Sequence, residues 1–160
     1  MVKEEMIFKQ MEFVRTRTLK ALEATTEEQA DVIPEGFNNS IRWNFGHILV
    51  NHENLLAGFL QKEKEIPSHY IDLFNARTSP RDWQTEPPSL DELRMHLSQQ
   101  IEAMRTHYQG RLEEERESPF KLGSIMEFST LGELFTFSNW HEGLHQGAIT
   151  SLKRAQGIEK

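Results

Sequence analysis

Four long stretches of this sequence repeat apolar residues every three to four positions, and none alternates them convincingly every two, so the chain is confined to helices packed on helices. The first stretch, about residues 3–23, sets Ile7, Met11, Val14, Thr18 and Leu22 on one stripe with charged residues elsewhere. The second opens with Asn39 or Ser40 as N-cap and runs to about Leu60. Its main apolar face is Ile41, Phe45, Ile48, His52, Leu55, Leu56 and Phe59. The third begins at a Ser89/Glu92 capping box and carries Leu93, Leu97, Ile101, Met104, Tyr108 and Leu112, with the charge run EEERE at 113–117 as its solvated end. A second capping box, Thr130 with Glu133, starts the fourth helix, which can run to about Arg154 before Gly157 stops it.

The connectors fit the same picture. TTEEQADVIPEGFNNS, with Pro34 and Gly36, ends the first helix as a turn-rich segment. Residues 66–88 hold four of the six prolines together with Tyr70, Phe74 and Trp83, which predicts a long crossover packed by its own side chains. Four amphipathic helices without strands predict an all-α four-helix bundle, a single domain over residues 1–160, with that crossover between the second and third helices.

Composition narrows the function. With 37% hydrophobic and 27% charged residues the chain reads as an ordinary soluble protein, and no apolar run approaches the roughly 20 residues of a membrane span. The N-terminus, MVKEEMIFKQ, carries charges through its first turn and lacks the apolar core of a signal peptide, so a cytoplasmic location is expected. A formal net charge of −7 without a basic cluster argues against nucleic acid or an anionic membrane as partner. There is no cysteine, so thiol chemistry would need a thiol from outside the chain.

The chemistry concentrates in HEGLH at 141–145. His141 and His145 lie about 40° apart on the helix, within the stripe of Leu134, Phe137, Ala148 and Leu152, so both imidazoles point inward. Each could be a core histidine satisfied by a hydrogen bond. Alternatively, a shared divalent metal would satisfy one nitrogen of each. The motif is also the shorthand of a zinc protease. After His145, however, only Glu159 could complete such a site, and no strand is expected that could align a peptide. Glu142 is rotated about 100° from His141 and is expected to face solvent or a neighbouring helix. For a third ligand the second helix offers His47 and His52. Periodicity favours His52, which lies in the main stripe, whereas His47 borders the minor stripe of Trp43, Val50 and Ala57. His69, His96 and His107 are expected at the surface.

Three segments together carry a resemblance: IRWNFGHILVNHE at 41–53, IDLFNARTSPRDW leading into PPSLDEL, and NWHEGLHQGAI at 139–149. With the connecting helices these cover most of the chain, which resembles the DinB-like superfamily, also called YfiT-like metalloenzymes. The resemblance implies an up-down-down-up four-helix bundle holding a divalent metal on three histidines. It places the ligand of the second helix at His47 rather than His52, and the others at His141 and His145.

Three imidazoles leave a coordination position open, as in catalytic rather than structural sites, and suit Zn²⁺ or Ni²⁺. Some members of the resembled family are S-transferases that use bacillithiol, mycothiol or glutathione. The resemblance therefore implies a metal-dependent transferase taking a low-molecular-weight thiol as cosubstrate. The alternatives are a metal-dependent hydrolase and a non-catalytic bundle that a metal stabilises. No general base is evident from the sequence, although Glu142, Asn51 and Asn44 lie near the ligand positions and could orient a ligand or substrate. The resemblance also implies a homodimer, for which the Gly143/Gly147 pair could line a contact. Close packing inside the bundle would explain those glycines equally well.

Overall fold

The computed structural model describes residues 3–158. In chain order its helices are α1 (Glu4–Glu23), α2 (Glu27–Ala30), α3 (Ile41–Leu60), α4 (His69–Phe74), α5 (Leu90–Tyr108) and α6 (Leu131–Ala155). The four long ones form the expected bundle. α1 packs on α5 and α6, and α3 packs on the same two. Lys62, just past α3, lines one cavity with Tyr108 at the end of α5, so these helices run the same way. α6 begins beside Ile7 at the start of α1, which makes α1 and α6 parallel to each other and opposite to the other pair. The topology is therefore up-down-down-up. No helix among the described residues is long and apolar enough to cross a membrane.

Side-chain caps set the helix starts. Ser40 is the N-cap of α3, accepting the Trp43 N–H at 3.2 Å, and Ser89 does the same for Glu92 at the start of α5. Thr130 and Glu133 form a reciprocal capping box on α6. Thr26 and Gln29 form another on α2, a short helix that the turn-rich composition of the connector concealed. Arg42 fastens this end of the bundle: it donates to both carboxylate oxygens of Asp31, to Glu27 and to the Pro88 carbonyl. In the crossover, Tyr70 and Phe74 are fully buried and the Trp83 indole N–H reaches the Leu73 carbonyl at 2.9 Å. The crossover is thus packed by its own aromatics, as expected.

Two expectations are corrected. A β-hairpin, β1 (Glu115–Leu122) paired antiparallel with β2 (Met126–Thr130), stands where no strand was expected. In addition, α5 stops at Tyr108, so EEERE is not its solvated end. Gly110, at φ +80°, turns the chain out of the helix, and the acidic run leads into β1. The hairpin is held at its inner face. Phe128 is buried, and Phe120 sits on Gly58, where an added Cβ would lie 2.7 Å from the ring. The Arg116 guanidinium donates to the carbonyls of Gly58, at 3.0 Å, and Phe59, which satisfies the orphan end of α3.

The core forms two clusters. One gathers Trp43, Phe45, Tyr70 and Phe74 around the first half of α3, and the other gathers Phe8, Phe59, Phe128 and Phe135 at the hairpin end. Each fully buried aromatic contributes about 1.5–3 kcal/mol of transfer free energy.

Candidate metal centre

His47 reaches the α3–α6 seam because three local features hold it. Its Nδ1 donates to the Phe74 carbonyl at 2.7 Å, and Trp43 stacks flat on its ring, centroids 4.6 Å apart with 9° between planes. The preceding Gly46 gives Phe74 room: a Cβ there would lie 2.4 Å from the Phe74 ring, so any side chain would push α4 away.

His141 and His145, one turn apart on α6, meet His47 from the other side. The ring centroids lie 5.2 and 4.6 Å from that of His47 and 4.6 Å from one another. One donor nitrogen from each of the three falls within 4.8 Å of the other two, and among the described residues no carboxylate joins the group. Each ring has a polar neighbour on its Nδ1. His145 Nδ1 donates to Asn44 Oδ1 at 2.8 Å, while the other end of that amide donates to the Ser40 carbonyl at 2.8 Å. Asn51 Nδ2 donates to His141 Nδ1 at 3.2 Å, whereas His47 and His145 each hold an Nδ1 proton on an oxygen. A histidine whose Nδ1 proton is held this way offers Nε2 as its lone pair, the arrangement that orients metal-ligating imidazoles.

The surroundings keep these rings neutral. Burial lowers the pKa of His47, opposed by its bond to Phe74. Burial first, and then the neighbouring His47, lower His141 to about 4, with the negative charge of Glu142 opposing. Burial, His47 and His141 together lower His145 to about 3. Three neutral, converging nitrogens fit a borderline divalent ion, and leave it a vacant coordination position.

The remaining histidines lie apart from this group. His52, favoured by periodicity, is buried but points to Ser138, whose Oγ is 2.8 Å from its Nδ1, and stacks on Phe135. Burial first, then the charges of Arg15 and Lys62, lower its pKa to about 3. The preference failed because α3 is buried on almost every side, so lying in its apolar stripe does not single a residue out. His69 and His107 are exposed, as expected, while His96 is half-buried against Tyr70.

Glu142 settles the protease question. It is 6% exposed and turned away from the three rings toward α1, where Arg15 grips both carboxylate oxygens at 2.9 and 3.0 Å and the Thr18 hydroxyl donates at 2.5 Å. A zinc protease needs this glutamate beside the metal. Glu159 lies outside the described residues. Arg15, 1% exposed, also donates to the Leu97 carbonyl and to Gln100. The sequence reading missed it, although it lies four residues from Met11 on the α1 stripe, and a charge on an apolar stripe is a signal of burial. Asn44 and Asn51 do contact the ligand-position histidines, as two of the three orienting candidates. Gly143 and Gly147 face open space, with no atom within 4 Å of an added Cβ, so close packing inside the bundle does not explain them.

Comparison with known proteins agrees with this architecture. No curated protein matches the sequence. Among solved structures, a conserved protein from Enterococcus faecalis is similar in fold, with 13% identity, 97% of each chain covered and a TM-score of 0.70. YfiT from Bacillus subtilis, described as a probable metal-dependent hydrolase with an unusual four-helix bundle topology, is similar over 99% of this chain and 92% of its own, with 21% identity and a TM-score of 0.60. A family model described as the DinB superfamily matches residues 10–149. The chain therefore belongs to the DinB superfamily.

Proposed function

We propose that this protein is a divalent-metal-dependent S-transferase in which His47, His141 and His145 hold the ion, Zn²⁺ or Ni²⁺, and a low-molecular-weight thiol is the nucleophile. The observation that carries this reading is a three-imidazole group without an acid–base partner, its one adjacent carboxylate, Glu142, being committed to Arg15. When bound, the ion supplies Lewis acidity toward a thiol or a water. A thiol with a pKa of about 8.5 needs only a modest shift to ionise at neutral pH, whereas water must fall from about 15.7. Hydrolysis also commonly recruits a side chain to protonate the leaving group. In the transfer, the thiol proton goes to solvent, a sulfur–carbon bond forms, and the electrophile's leaving group departs with its bonding pair. The part of Asn44 and the Phe74 carbonyl is to hold His145 and His47 in the ligating tautomer.

A metal-dependent hydrolase is the second reading. Two observations favour it: the similar Bacillus subtilis protein is described in those terms, and no lysine or arginine lines the grooves beside the triad to pair with the carboxylates of common cellular thiols. Zn²⁺- and Ni²⁺-loaded protein should be assayed with a bromobimane electrophile against a panel of thiols, and separately with nitrophenyl esters. Turnover that requires both thiol and metal supports the transferase. Ester turnover indifferent to thiol supports the hydrolase. Stoichiometric metal with no turnover, accompanied by a raised melting temperature, would favour a non-catalytic bundle.

A further inference from the structure

The outer face of α6 is bare beside the three histidines. Leu144 is 57% exposed there, and a groove of about 650 Å³ opens between α6, the 37–39 connector and the start of α3. Its walls include Phe37, Trp43, Leu144, Gly147 and Leu152, and His145 forms part of it. The same Trp43 stacks on His47, so the groove meets His145 directly and His47 only through Trp43. None of its lining residues is Asp, Glu, Lys or Arg. On the other side of the triad the groove beside Phe137 and Trp140 is different, since Glu113, Glu127 and Glu133 line it.

From this contrast we infer that the groove beside His145 seats an uncharged small molecule with an apolar, ring-sized body, the electrophile of the proposed reaction. The inference rests on the three-histidine centre being the reacting site. A charged ligand would give up part of its hydration in this groove without gaining a counter-charge from its walls. An apolar body instead gains from every part of its surface that the walls remove from water. The volume falls within the ~300–1,000 Å³ usual for small-molecule sites. Gly147 keeps the groove open: it lines the wall, and an added Cβ meets nothing within 4 Å. A glycine inside a helix weakens it relative to alanine, and no contact within the chain requires this one.

The test uses full-length protein, metal-free and Zn²⁺-loaded, titrated with 4-chlorobenzyl alcohol and its charged counterparts 4-chlorobenzylamine and 4-chlorobenzoate. Metal-free wild type should bind the alcohol at least tenfold more tightly than either ion. Gly147→Leu, which fills the groove from an exposed position, and Leu144→Asp, which charges its wall, should each weaken alcohol binding at least tenfold at unchanged zinc per chain and melting temperature. Leu144→Met should bind like wild type. Failure of the alcohol to bind, equal binding of a charged counterpart to metal-free protein, or indifference to both substitutions overturns the inference. A wild-type dimer in sedimentation that Gly147→Leu dissociates also overturns it, by assigning the face to a second copy. Wild type that takes up no zinc yet binds the alcohol in this pattern overturns the metalloenzyme reading alone and leaves the groove assignment standing.

Discussion

His47 and His52 stand five residues apart on one helix, both more than nine-tenths buried, with opposite surroundings. His52 is enclosed by Phe135 and Ser138, its Nε2 without a partner, while His47 shares its space with two more imidazoles. Burial is common to both. Convergence distinguishes a candidate ligand from a core residue, and it is a property of two helices rather than one.

The sharpest way to break this comparison is elemental analysis of zinc-incubated variants. His47→Ala, His141→Ala and His145→Ala should each fall from near one zinc per chain to a trace, while His52→Ala retains it. A His52 variant that loses metal as completely would return the third ligand to the site that periodicity favoured. Glu142→Ala comes next. It leaves the Arg15 charge buried without its carboxylate and should lower the stability of metal-free protein by about 3–5 kcal/mol in urea unfolding. Asn44→Ala should weaken zinc binding about 10–100-fold in a competition titration, because His145 loses the partner of its Nδ1. An unchanged affinity would mean that the ring needs no such support.

A further difference between the metal-free rings and free imidazole is pH-dependent. His52, His141 and His145 have native pKa values of about 3 to 4, below the ordinary 6.5. Between pH 6.5 and 4 the unfolded chain therefore binds more protons than the native one, and stability must rise with pH across that window. The urea midpoint of metal-free protein should be lower at pH 5 than at pH 7.5, and His52→Gln should reduce the difference. A flat response would contradict the burial assigned to these rings.

The sequence announced the helices clearly because α1, α5 and α6 each expose a polar face and three of the long ones begin at a side-chain cap. The hairpin escaped notice for the converse reason. β1 is exposed along most of its length, so no alternation marks it, and Phe120, Phe128 and the Arg116 guanidinium anchor the hairpin. His141 and His145 were legible as an inward pair from their spacing. His47 was not, because every residue from Ile41 to Val50 is buried and periodicity loses its contrast there. The family resemblance supplied what periodicity could not. Arg15 was readable from its place on the stripe, but its role depends on Glu142, 127 residues away, and such pairings come only from the fold.

That pairing also acts mechanically. Glu142 projects from α6 about 100° round from His141. A rotation of the helix by about 20° would sweep a group some 6 Å from its axis through about 2 Å, enough to carry His141 and His145 away from His47. Gripped at two oxygens by an arginine that is itself tied to α5, Glu142 works as a key in a slot: it sets the angle at which the last helix presents its histidines, from the side of the helix where no chemistry takes place.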